Sequence, residues 1–192
     1  MKLDKHREQY FSDLAVKTIL NKRGRKTYAY VYQGIWYRWG LEGFDLKKRR
    51  LLYVLLEIAN IALFAYAGFS ASTLNFQKFL AGCGLLSIVP FLIELRGVFG
   101  FCISATYMME TDYKSIDFRL VYGGLIRMLI LLVGLGIGLI STISQGKMDT
   151  YSLLTAAAYI GTILLSAAIS RLHHKLEYRN YKSVNGDVGP EC

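Results

Sequence analysis

Charged and amide side chains inside apolar runs are the residues of this sequence that could do chemistry. Glu57 and Asn60 lie within the stretch "KKRRLLYVLLEIANIALFAYAGF", residues 47–69. Glu94 and Arg96 lie in a second apolar run, and Arg127 in a third. At 1.5 Å rise per residue, Glu57 is about 9 Å from the basic start of its run, and Glu94 is about 22 Å from the opposite end of its own. Arg127 enters its run to a similar depth. The expectation is one polar cluster of Glu57, Asn60, Glu94, Arg96 and Arg127, because charges in a bilayer pair and face the bundle interior. Such a cluster either fixes helix register as ion pairs or relays protons or ions. Two acids balance two bases, which favours the structural role.

Small residues accompany it. Leu120, Gly124, Arg127, Leu131, Gly134, Gly138 and Ser141 recur at alternating four- and three-residue steps, one seam of a helix. Gly134 and Gly138 make a small-xxx-small pair that permits close helix approach in lipid. Ala157, Gly161 and Ala168 are expected to do the same on the fourth run. These faces suit internal packing or a homo-oligomer interface. Pro90 interrupts the second run and frees the carbonyl of Leu86, which Ser87 could partly satisfy.

Other chemistry is hard to find. Cys83, Cys102 and Cys192 are scattered, with no Cys-x-x-Cys pair for zinc or redox work. His173 and His174 are adjacent, so they point to different helix faces. "GFSAS", residues 68–72, lacks the second glycine of a nucleophile elbow. "GLGIG", residues 134–138, lies inside an apolar run, where packing is a better reading than phosphate binding. The sequence therefore indicates no catalytic residue, no cofactor and no metal site, and an enzyme is not the expectation.

The elements that must position the cluster are four runs of bilayer length, at residues 51–69, 79–101, 120–143 and 151–172. The composition agrees, with 53% hydrophobic and only 19% charged residues. Net charge is +9, and thirteen of the 23 Lys and Arg precede residue 51. The first and third loops hold only Lys78 and Lys147, whereas the second connection and the tail are richer in Lys and Arg. The positive-inside rule then puts both termini in the cytoplasm of a multi-pass cell-membrane protein. The fold class is all-α integral membrane, a four-transmembrane-helix bundle (51–172) between a basic aromatic module (1–50) and a cytoplasmic tail (173–192).

In the module, residues 1–24 suggest an amphipathic helix. "KTYAYVYQGIWYRW", residues 26–39, alternates as a β-hairpin turning at Gln33-Gly34. Trp36, Trp39, Lys47, Lys48, Arg49 and Arg50 are expected at the membrane surface, on anionic headgroups. Basic residues among aromatics can also bind nucleic acid, but topology already explains these. Asp45 is expected to cap a helix running into the first span. In the connection, Glu110, Asp112 and Asp117 could dock on the basic module. The tail reads as a fraying helix with an unstructured end. The outline of four spans with a glutamate in the first resembles small multidrug transporters. The long basic leader departs from that pattern, and no residue is carried over. The expected function is that of a membrane scaffold, accessory or regulatory component, with a small proton- or ion-coupled transporter as the alternative. Its expected partners are lipid and another membrane protein.

Overall fold

The computed structural model describes residues 14–20, 26–32, 35–41, 43–176 and 178–182. They are mostly helical. Helix α1 (Gly43–Phe69) is followed by α2 (Lys78–Leu86) and α3 (Ile88–Ile103). Helix α4 (Glu110–Phe118) leads through one π-helical turn (Arg119–Gly123) into α5 (Gly124–Ser144), and α6 is Thr150–His174. The strands are β1 (Leu14–Leu20), β2 (Lys26–Tyr32), β3 (Ile35–Trp39), β4 (Tyr107–Met109) and β5 (Tyr178–Lys182).

Four helical stretches are long and apolar enough to cross a membrane: Gly43–Phe69, Lys78–Ile103, Glu110–Ser144 and Thr150–His174. Their faces are sorted opposite to a water-soluble bundle. Leu51, Leu55, Ile58, Leu92, Leu129, Leu132, Ile140 and Leu164 are exposed, while Asn60, Glu94, Arg127, Thr155, Thr162 and Ser166 are fully buried. An apolar exterior around polar contacts is the arrangement that lipid stabilises.

The chain falls into two compact units. One holds the helices, from Leu41 to Ser104 and Ser115 to Glu177. Here the chain runs up and down. At one end Arg50 donates from Nη2 to the carbonyl oxygen of Ser104, and His173 Nε2 lies 3.2 Å from Asp117 Oδ1. At the other end the Thr73 hydroxyl lies 2.7 Å from that of Ser152, and Ser70 lies 2.7 Å from Thr155. Asn75 Nδ2 ties the carbonyls of Ala67 and Ser70 at 2.6 and 2.8 Å. Asp149 caps α6 by accepting from the Ser152 amide at 2.8 Å. The Ser152 hydrogen bonds hold the Asp149 carboxyl below the usual aspartate range.

The second span is broken at Ser87, which closes α2 and opens α3. Pro90 lies one turn on and cannot donate to Leu86. The Ser87 hydroxyl donates to Gly84 O at 2.7 Å, so it serves a different carbonyl from the one the sequence suggested. Helix α1 is continuous into the span as expected, with Asp45 in its first turn, where a carboxylate favours the helix dipole.

The other unit contains two small sheets and corrects three expectations. Residues 14–20 form a strand, where an amphipathic helix over 1–24 was expected; residues 1–13 and 21–25 lie outside the described residues. Strand β2 pairs with β1, antiparallel from Leu14–Tyr32 to Leu20–Lys26, and not with β3. Strand β3 is the middle of a sheet ordered β4-β3-β5. It takes Met108 opposite Tyr37 on one side and Asn180 opposite Tyr37 on the other. The tail thus continues as a strand at Tyr178–Lys182, where a fraying helix was expected. Residues 14–20 are a strand because they pair with the neighbouring β2 in a sheet of their own, whereas β3 and the tail follow ladder partners supplied from afar, which override local periodicity. The expected dock between connection and module exists, made by strand pairing and by Tyr37 stacked on Tyr113 at 4.4 Å. Among the described residues Glu110 pairs with Lys114 at 2.6 Å and Asp117 with His173.

Candidate polar cluster

Helix α1 buries Leu46, Tyr53, Glu57, Asn60 and Ala67, a face with three- and four-residue steps. Helix α3 buries Pro90, Glu94, Gly97, Val98 and Phe101. Helix α5 buries Gly124, Arg127, Leu131, Gly134 and Gly138 of the seam read from the sequence, and also Leu135 and Thr142, while Ser141 at the end of that seam is half-buried. Helix α6 buries Ser152, Thr155, Thr162, Ser166 and His173 along with its apolar positions.

These faces meet at Arg127. Its Nη1 donates to Glu94 Oε2 at 3.2 Å and to Ser166 Oγ at 3.3 Å. Ser166 Oγ donates to the same Glu94 oxygen at 3.0 Å, and Asn60 Nδ2 reaches Ser166 Oγ at 3.3 Å. One connected set therefore joins α1, α3, α5 and α6. The guanidinium lies over two rings, 4.2 Å from the Phe91 centroid and 4.9 Å from that of Phe64. Rings on its faces and a carboxylate on its edge replace part of the hydration that burial removes.

Glu57 is buried at 3% exposure, in electrostatic reach of Glu94 and Arg127. It forms no salt bridge with Arg127, and neither of its oxygens accepts a hydrogen bond among the described residues. Arg96 is exposed and stands outside the cluster, two residues and about 200° around the helix from Glu94. Ser166 was not anticipated. Its signal was the recurrence of Thr155, Thr162, Ser166 and His173 at seven-, four- and seven-residue steps.

The small residues are used within the chain. A side chain at Gly124 would meet Ser170 Oγ at 2.8 Å and Glu94 Oε1 at 3.2 Å. One at Gly134 would meet Cys83 Cβ at 2.6 Å, one at Gly138 would meet Leu80 at 3.3 Å, and one at Gly161 would meet Leu63 at 2.7 Å. Ala157, however, is exposed and Ala168 only half-buried, so the fourth-run face was read one position off. Ala156, Ala158 and Tyr159 are the buried neighbours.

Among the membrane-surface candidates, Lys47 and Lys48 are exposed, and Trp36, Arg49 and Arg50 are half-buried. Arg50 is engaged with Ser104, and its guanidinium lies 5.9 Å from the Phe101 ring centroid. Trp39 is 2% exposed, 5.7 Å from the Tyr113 ring, so it is a core residue and not a headgroup anchor. No group of three or more His, Cys, Asp or Glu that could hold a metal occurs among the described residues.

No family model matches the chain, and no curated protein or solved structure is significantly similar to it.

Proposed function

We propose that this chain is a multi-pass integral membrane protein with both termini in the cytoplasm and a non-enzymatic scaffold, accessory or regulatory role. The observation that carries this reading is the Glu94–Arg127 pair, fully buried and tied through Ser166 and Asn60 to all four helices. A pair so engaged locks the helices in register; a carrier residue must instead exchange partners. Toward the Asn75 end the core is Ala67, Leu80, Leu131, Leu135, Ala156 and Ala158, with Leu63 and Phe64 packed against it. That apolar layer separates the pair from the serine, threonine and asparagine contacts at the loops. The transporter alternative requires a polar route through this layer. Lys47 and Lys48, with the basic leader, suit the anionic cytoplasmic leaflet.

Reconstituted vesicles with an internal pH dye test the functional reading. Under an imposed pH gradient and potential, proton entry should equal that of protein-free vesicles. Entry that is faster with the protein and lost in Glu57→Gln would establish the transporter. Orientation is tested by cysteines at exposed positions. Ala71→Cys and Lys147→Cys should react with an impermeant maleimide in intact cells, whereas Lys47→Cys and Lys175→Cys should react only after lysis. The reverse pattern would invert the topology.

A further inference from the structure

The Glu94–Arg127 pair leaves one acid over. Glu94 and Arg127 neutralise each other at 3.2 Å, but Glu57 forms no ion pair among the described residues. The groups that act on it are Asn60 on α1, Glu94 on α3 and Arg127 on α5. The one guanidinium reaches Glu94 and Ser166 through Nη1, its Nε and Nη2 make no hydrogen bond among the described residues, and the exposed Arg96 is not among these groups. With all three charges present, the interior would carry a net −1, which burial makes costly. One proton on Glu57 brings the set to zero. Neither of its oxygens makes a hydrogen bond to Glu94 or Arg127 among the described residues, so the carboxyl can gain or lose that proton without breaking a hydrogen bond of the pair.

We propose that Glu57 is a proton-binding site. The proton comes from water, forms the O–H bond on a Glu57 oxygen, and returns to water when the carboxyl ionises. The site does not depend on the scaffold assignment, because a transporter would show the same loading together with flux.

The test is modification of the full-length protein in lipid nanodiscs by a hydrophobic carbodiimide, which adds to protonated carboxyls. Peptide mass spectrometry should find the adduct at Glu57, with at least a tenfold lower yield at Glu94, and the Glu57 yield should fall as pH rises. In parallel, infrared difference spectra across the same pH steps should show a protonated-carboxyl C=O band that Glu57→Gln removes. Where that variant folds poorly, Glu57→Asp should keep the band at a shifted frequency. No Glu57 adduct at any pH at which the fold persists, equal labelling of Glu94, or a band untouched by Glu57→Gln would overturn the proposal.

Discussion

Arg127→Met should destabilise the bundle by about 3–5 kcal/mol, the typical cost of removing one partner of a buried ion pair. Methionine keeps much of the stem volume, so the loss comes mainly from electrostatics. Glu94 Oε2 loses its Nη1 contact and retains only Ser166. The two rings that bracket the guanidinium, Phe64 and Phe91, lose the cation as well. Unfolding in mixed detergent micelles, followed by circular dichroism, is the measurement. Arg127→Lys should recover only part of the loss. A lysine ammonium is a point charge and cannot reach the carboxylate while planar faces cover two rings, as the guanidinium does. Arg96→Met, by contrast, should be nearly neutral, since Arg96 is exposed.

Gly123→Ala should cost about 1–3 kcal/mol, the range for forcing extra atoms into a packed core. The added methyl would stand 2.9 Å from the Glu94 backbone nitrogen and 3.2 Å from its Cα. Backbone cannot rotate aside as a side chain can, so α3 must move away from the π-helical turn. That movement carries Glu94 off Arg127 and weakens the pair as a second effect. Gly136→Ala is the control. Nothing lies within 4 Å of its added methyl, and alanine is the better helix former by roughly 1 kcal/mol. It should leave stability unchanged or raise it. Equal losses at Gly123 and Gly136 would show that close approach at Gly123 is not what holds the helices together.

Much of the helical unit was legible in the sequence, because its signals are local. Four apolar runs set the long helices, and each came out longer than its run, since helix-forming residues such as Leu46–Arg50 extend it beyond the apolar boundary. The Gly124–Arg127–Leu131–Gly134–Gly138 seam followed from period alone. Depth counting brought Glu57, Glu94 and Arg127 together, but it could not say which acid pairs with Arg127, because both lie at the same level. Rotation around the helix decides that, and it also excludes Arg96. Ala157 was misplaced because the "TAAAYIG" stretch offers small residues on every face. The polar stripe of α6 names its buried side better, since lipid leaves threonine and serine little other partner. The strands were least legible. The β3 pairings join residues about 70 and 140 positions apart, and no local alternation encodes such a register.

The measurement that tests the central claim most directly is a pair of double-mutant cycles around Arg127, one with each acid. The structure makes Glu94 the partner and Glu57 a separate site. Glu94→Gln combined with Arg127→Met should therefore regain a large part of what Arg127→Met loses, because no lone charge is left in the core. Glu57→Gln combined with Arg127→Met should regain much less, because Glu57 makes no ion pair with Arg127. Strict additivity in the Glu94 cycle, with coupling found in the Glu57 cycle instead, would contradict the account.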